Sequence, residues 1–150
     1  MKNIFTVEVT REVIERINNL TASSQPNWGK MSVSQMLAHC CVAYEMIYTN
    51  KHPRPKAFVR MLLKTFVKKS VVNNKPFAKN GRTAPQFIIA EERIFDAEKK
   101  RLIDFLNKTL ELGETYFDGK ESHSFGKLTI AEWNNSFYKH IDHHLTQFGV

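Results

Sequence analysis

Apolar side chains recur three and four residues apart in four stretches of this chain, the spacing that places them on one face of an α-helix. The first stretch, residues 10–20, has an apolar face of four residues: Val13, Ile14, Ile17 and Leu20. The second begins at a capping box, in which Ser32 is followed three residues later by Gln35, and runs to about Tyr48. Its buried face is predicted to contain four residues: Met36, Cys40, Ala43 and Ile47.

The third stretch is the longest and is predicted to run from about Phe87 to Leu112, with Gly113 as its stop. Its buried side is predicted to contain six residues: Ile88, Phe95, Leu102, Phe105, Leu106 and Thr109. The fourth begins at a second capping box, Thr129 to Glu132, and ends at Phe148. Four long helices predict an all-α fold, an up-down four-helix bundle built as a single domain over residues 1–150.

The connection between the second and third helices is the least regular part of the chain. Pro53 and Pro55 end the second helix, since proline cannot donate a backbone hydrogen bond. Apolar residues at helical spacing between Phe58 and Val67 predict a shorter amphipathic helix with a basic outer face. Residues 72–85, rich in Asn, Pro, Lys and Gly, predict a loop. The bundle therefore carries a partly helical insertion between helices 2 and 3.

The positive charge of the chain is concentrated in this insertion. The formal net charge is +7, yet no acidic residue lies between Glu45 and Glu91. Residues 51–82 contain ten basic residues, while the rest of the chain has more acidic than basic ones. The segment is interpreted as a solvated face, as a rim that attracts an anionic substrate, or as a contact for nucleic acid or anionic lipid. Nucleic acid is the least favoured partner, because recognised DNA-binding signatures are absent.

Cysteine usage and hydropathy bear on the compartment. Cys40 and Cys41 are adjacent, and neighbouring helical residues point apart, so a disulfide between them is not expected. They are interpreted as small buried residues, with Cys40 as a nucleophile or ligand beside His39 as the alternative. The start of the chain lacks the apolar run of a signal peptide, and no apolar stretch approaches the roughly 20 residues of a membrane span. A cytoplasmic protein is predicted.

Histidines give the clearest chemical signal. Five residues of the last helix form one stripe: Trp133, Phe137, His140, His144 and Phe148. Because His140 and His144 are four residues apart, their side chains lie one turn above each other and could share a divalent metal ion. His39, on the second helix, is the candidate third ligand of a tri-histidine site with open coordination positions, which is the catalytic arrangement. The alternative is that each histidine forms a separate hydrogen bond with a Tyr, a Gln or a backbone carbonyl.

The other histidines and the acids are secondary candidates. His143 leaves the stripe and is predicted to pair with Asp142 or with the last carbonyls of the helix. His52 and His123 are predicted to be exposed in loops. The candidates for a general base are Glu45, Asp142 and His143.

Two segments carry a family resemblance. Residues 28–40 (WGKMSVSQMLAHC) resemble the start of the second helix in DinB-like proteins, the superfamily that includes the YfiT-type thiol transferases. Residues 125–129 (FGKLT), Glu132-Trp133 and residues 139–149 (KHIDHHLTQFG) resemble the closing helix of the same group. The chain looks like an uncharacterised branch of that superfamily. The resemblance implies a four-helix bundle whose metal lies between the second and fourth helices, with His39, His140 and His144 as ligands.

The resemblance also carries functional expectations. It implies zinc, nickel, manganese or iron as the divalent ion, a homodimer, and chemistry with a low-molecular-weight thiol such as bacillithiol, mycothiol or glutathione. The first hypothesis is therefore a metal-dependent enzyme that transfers a thiol. The second is a non-catalytic metal-binding or stress-response module that uses residues 51–82 to contact an anionic partner, and the third is a metal-dependent hydrolase. The insertion is longer and more basic than expected of the thiol transferases, so their particular substrate is not carried over.

Overall fold

The computed structural model describes residues 1–150 and is mostly helical. In chain order its helices and strands are α1 (Val7–Asn18), α2 (Val33–Tyr48), α3 (Ala57–Leu62), a π-helical turn (Leu63–Val67), α4 (Lys68–Val72), a 3-10 turn (Pro85–Phe87), α5 (Phe95–Phe117), β1 (Glu121–Ser122), β2 (Gly126–Lys127) and α6 (Ile130–Gln147). The two strands pair antiparallel as a small hairpin before α6, with Glu121 opposite Lys127. No helix combines the length and the apolarity that a membrane crossing requires.

The core lies where the four long helices meet. Helix α2 is central: most of its residues are buried, and it packs against both α5 and α6. A helix that is apolar around most of its circumference is expected to be enclosed in this way. Helix α1 also packs against α5 and α6. The side chains that are fully buried include Met36, Leu37, Leu102, Leu106 and Leu145.

Both predicted capping boxes are present and set the starts of the two helices that matter most. The Ser32 hydroxyl accepts from the Gln35 N–H while the Gln35 side chain accepts from the Ser32 N–H. Thr129 and Glu132 form the same reciprocal pair at the start of α6. Helix α1 begins three residues earlier than predicted, because Thr6 caps it by accepting from the Val9 N–H.

The predicted start of the third long helix was wrong. Helix α5 begins at Phe95 rather than Phe87, and Ile88 is exposed instead of buried. Phe87 instead lies in the 3-10 turn, where its ring and its carbonyl contact His39. At the other end the regular helix stops at Gly113 as predicted, because that residue has the non-helical angles φ 66° and ψ 179°, and a short helical piece beyond this kink extends α5 to Phe117.

The insertion is helical over a longer stretch than predicted and faces the other way. Helices α3 and α4 and the π-helical turn cover residues 57–72, of which only Val72 is buried. The apolar side chains expected to pack inward, Phe58 and Phe66 among them, are 66% and 75% exposed. Arg60 and Lys68 point inward instead, because each finds an acidic partner on the body of the protein: Glu121 on β1 and Glu132 on α6.

Candidate metal centre

Three imidazoles from two helices converge between α2 and α6. His39 comes from α2, and His140 and His144 come from successive turns of α6. One nitrogen of each lies within 4.8 Å of the nitrogens of the other two, a spacing at which the group could hold a metal ion. The ring centroids are 4.5 to 4.9 Å apart. The structure thus brings together the three residues that the sequence singled out as candidate ligands.

His39 is oriented by a backbone carbonyl from the connection before α5. Its Nδ1 lies 2.8 Å from the carbonyl oxygen of Phe87. Because a carbonyl only accepts, Nδ1 must carry the hydrogen, and the neutral ring keeps its lone pair on Nε2. The Phe87 ring also contacts both His39 and His140, with centroids 5.3 and 5.6 Å away. The sequence analysis did not identify Phe87 as a partner of His39, because every residue has a backbone carbonyl and the type of side chain does not show which one accepts.

His144 is oriented by Gln147, one turn later on the same helix. The Gln147 Oε1 atom lies 2.8 Å from His144 Nδ1, and its Nε2 donates to the carbonyl of Trp28 at 2.6 Å. The Trp28 carbonyl fixes which way the amide points, so Nδ1 of His144 is the donor and Nε2 holds the free lone pair. Gly29 makes room for this contact, since a Cβ there would lie 2.5 Å from Gln147 Nε2.

His140 completes the group with its Nε2 atom, which lies 2.9 Å from Nε2 of His39. Since His39 presents a lone pair at that point, the Nε2 of His140 carries the hydrogen in this arrangement. A divalent ion would satisfy the same nitrogens by accepting their lone pairs. Two of the three rings are therefore already held in the tautomer that metal ligation needs, by partners of the kind that orient ligating histidines.

Burial keeps the three imidazoles neutral. His39 and His144 are buried, and His140 is partly exposed. Desolvation lowers the pKa of His39, lowers that of His144 to about 3, and lowers that of His140 well below its ordinary value. The neighbouring imidazoles also lower the pKa of His140 and of His144, because two cationic rings at this distance would repel each other. Neutral imidazoles are the form that binds metal.

His143 lies beside this group but is not part of it. Its ring is edge-on to His144, with centroids 5.1 Å apart, and is flanked by Trp28 and Phe77 at 5.8 Å each. It makes no hydrogen bond, and the predicted pairing with Asp142 does not form, because Asp142 is bound by Arg16 at 2.7 Å. Desolvation lowers the pKa of His143, and the Asp142 charge opposes that shift.

Glu45 belongs to a separate buried network. Its carboxylate accepts from Lys51 at 3.0 Å and from His52 at 2.8 Å and is also paired with Arg101. Burial alone would raise the pKa of Glu45, but the hydrogen bonds from His52 and Lys51 and the Arg101 charge outweigh it and lower the pKa. A carboxylate engaged in this way is not free to act as a general base, so this candidate is not supported.

The prediction that His52 and His123 are exposed was wrong. His123 is buried, with its Nε2 3.2 Å from the carbonyl of His52 and its Nδ1 2.9 Å from the Ser124 hydroxyl. His52 is partly buried against Glu45. The two histidines tie the insertion to the hairpin before α6 and lie outside the candidate metal centre.

The cysteines behave as small core residues. Both are buried and free. Burial raises the pKa of Cys41 to about 12 and raises that of Cys40 well above its ordinary value. Since the thiolate is the nucleophile and the ligand, these protonated thiols supply neither function.

The comparisons with known proteins give one family. The family described as "Protein of unknown function (DUF1569)" matches residues 2–149, which is nearly the whole chain. No curated protein and no solved structure matches the chain.

Proposed function

Because the chain belongs to the DUF1569 family, whose description assigns no activity, we propose its function from the histidine group: a metal-dependent enzyme that transfers a low-molecular-weight thiol. One observation carries this proposal. Three neutral imidazoles converge from two helices, and two of them have their Nδ1 atoms bound elsewhere, so that Nε2 remains for an ion. Three histidine ligands and no carboxylate leave open coordination positions, which is the catalytic arrangement.

His39, His140 and His144 would hold the ion, which we propose to be divalent zinc, nickel, manganese or iron. When bound, such an ion lowers the pKa of a coordinated water or thiol toward neutrality, because neutral ligands leave it its full charge. The Phe87 ring contacts His39 and His140, and the Phe77 ring contacts His143, so apolar rings border the histidine group. His143 is the side chain placed to take the proton from an incoming thiol, since its ring contacts His144 and has no partner of its own.

The resemblance of residues 28–40, 125–129, Glu132-Trp133 and residues 139–149 to DinB-like proteins supports thiol transfer over other chemistry. On the same ground we propose that the four long helices form the up-down bundle of that superfamily and that the chain forms a homodimer, which sedimentation of the purified protein tests. A metal-dependent hydrolase is the second candidate, because a water activated at the same position attacks esters or amides.

Elemental analysis of protein purified without a polyhistidine tag tests the site. We expect about one divalent ion per chain, and loss of that ion in the variants His39→Ala and His140→Ala with the fold kept. His123→Ala is the matched control, since that histidine is also buried but lies outside the group. Unchanged metal content in both ligand variants would refute the site.

A screen of the loaded protein with small thiols and an electrophile tests the reaction. Thiol consumption that disappears in His140→Ala supports transfer. Ester hydrolysis without thiol consumption would favour the hydrolase. Metal binding with neither activity would favour a module whose ion is structural.

A further inference from the structure

The helical part of the insertion carries an apolar face that points away from the protein. Phe58, Met61, Leu62 and Phe66 are spaced as one face of a helix, and all four are exposed. On the opposite face, Arg60 and Lys68 are bound to Glu121 and Glu132. The segment is thus an amphipathic helix held in place by its polar side. Exposed apolar groups in such number mark a surface that meets a partner.

The charge around this face restricts the partner. Of the ten basic residues in residues 51–82, three are in ion pairs: Lys51, Arg60 and Lys68. The other seven have no acidic partner: Arg54, Lys56, Lys64, Lys69, Lys75, Lys79 and Arg82. Because no acidic residue lies between Glu45 and Glu91, nothing within the segment offsets them. The complementary partner must be anionic and apolar at once.

A recess between α4 and the start of α6, on the polar side of the segment, contains the cations that an anionic headgroup needs. It is a shallow, open depression of about 360 Å³ next to α4 and is lined by six residues: Lys64, Lys68, Lys69, Val72, Asn73 and Glu132. Glu132 is already bound to Lys68, so Lys64 and Lys69 remain free to meet a phosphate. The segment therefore carries free cations on its polar side and exposed apolar residues on the other.

We propose that residues 56–72 dock on the surface of an anionic lipid bilayer, with Phe58, Met61, Leu62 and Phe66 inserted among the acyl chains and the flanking lysines at the headgroups. This is the arrangement of interfacial amphipathic helices, which combine a large aromatic and aliphatic face with lysines on their polar side. The helix lies in the plane of the membrane, since no helix of the chain is suited to cross it.

Other occupants fit these observations less well. A second copy of the same face would bring its unpaired cations against an identical set, which repels. Nucleic acid would meet the cations and could stack on Phe58 and Phe66, but it would leave Met61 and Leu62 without an apolar partner. An acidic protein would also meet the cations, and a failure to bind anionic vesicles would favour it over lipid.

Co-sedimentation of the full-length protein with vesicles tests the proposal. We expect binding to vesicles of phosphatidylcholine and phosphatidylglycerol in a two-to-one ratio, none to phosphatidylcholine alone, and weaker binding as salt rises. The double variant Phe58→Ser/Phe66→Ser removes two exposed rings and should weaken binding by about tenfold or more. Lys64→Glu/Lys69→Glu should abolish it.

Matched variants control for exposure and charge. Ile94→Ser alters an equally exposed apolar residue outside the segment, and Arg11→Glu/Lys108→Glu reverses two exposed charges elsewhere. Both should bind like the parent, and so should His39→Ala, because docking does not depend on the metal centre. All of these variants should keep the parent's helical circular dichroism, since every altered side chain except His39 lies on the surface.

Three results would overturn the proposal. The first is no binding to anionic vesicles. The second is binding that Phe58→Ser/Phe66→Ser leaves unchanged, which would reduce the effect to nonspecific charge attraction. The third is a dimer that this double variant dissociates and that vesicles do not compete with, which would make a second copy the occupant.

Discussion

Gln147 is the side chain outside the histidine group that most directly sets its geometry. It accepts from His144 Nδ1 and donates to the Trp28 carbonyl, so it links the chain before α2 to the proposed site. An acceptor of this kind raises the basicity of the ligand and fixes its orientation. The histidine and its partner therefore act as a unit.

Replacement of Gln147 tests this role. Gln147→Leu keeps a buried side chain of similar length but leaves His144 Nδ1 without its acceptor. We expect the metal affinity to fall by about 10- to 100-fold, as measured by titration against a chelator of known affinity. Gln25→Leu, at an exposed position, is the control and should bind as the parent does. Equal affinity in the two variants would show that Gln147 has no part in ligation.

The sequence located this group only in part. Four-residue spacing was sufficient to pair His140 with His144. The sequence analysis did not single out Gln147, although it lies three residues after His144 on the same helix and so beside it. His39 lies about a hundred residues away, so the sequence could name it only as a candidate on another helix, and the family resemblance supported that choice. Phe87 could not be found, because its carbonyl acts from a segment that the apolar pattern predicted to be helical.

Among the elements, α5 shows how a single backbone conformation shapes a helix. Gly113 has φ 66° and ψ 179°, a region that residues with a Cβ rarely adopt. It lets the helix kink and continue to Phe117, whose buried ring packs on Phe5 and Trp133. The last turn of α5 therefore reaches the start of α6, the helix that bears two of the histidines.

Gly113→Ala tests the strain. Nothing lies within 4 Å of the added Cβ, so any loss comes from backbone conformation alone. We expect the free energy of unfolding to fall by about 1–3 kcal/mol, as measured by urea denaturation. Gly81→Ala is the comparison, because that glycine has no positive φ, and its effect should stay within about 0.5 kcal/mol. Similar losses in both would show that the kink is unstrained.

The insertion shows what apolar periodicity leaves open. The spacing of Phe58, Met61, Leu62 and Phe66 correctly indicated a helix with an apolar face. The spacing did not indicate whether that face packs against the protein or is exposed to solvent, because this depends on the residues that the polar face contacts. Glu121 and Glu132 decide it by binding Arg60 and Lys68, and both acids come from parts of the chain some sixty residues distant.

At the scale of the whole molecule, Glu45 joins parts that are far apart in sequence. It binds Lys51 and His52 at the start of the insertion and Arg101 on α5, while His123 binds the backbone of His52. The network therefore connects α2, the insertion, α5 and the hairpin. Its stability depends on the Glu45 carboxylate remaining ionised.

A pH series tests that dependence. Since the folded-state pKa of Glu45 is lowered, its contribution is fully present above the unfolded value of about 4.5 and is lost as the pH falls through the folded value. Glu45→Gln should lower the free energy of unfolding by about 2 kcal/mol at neutral pH, and the difference from the parent should vanish in acid. Exposed Glu111→Gln should show no difference at any pH. A difference for Glu45→Gln that persists in acid would contradict an ionic role.

The close approach of His39 and His140 has a consequence for how an ion would enter. In the arrangement described, the proton between the two rings belongs to His140 Nε2 and is accepted by His39. Ligation through that nitrogen requires the proton to relocate to Nδ1 of the same ring. Since all three imidazoles are neutral already, loading exchanges one tautomer for another and releases no proton to solvent. Near neutral pH, ion uptake at this centre would be free of the proton competition that exposed histidines face.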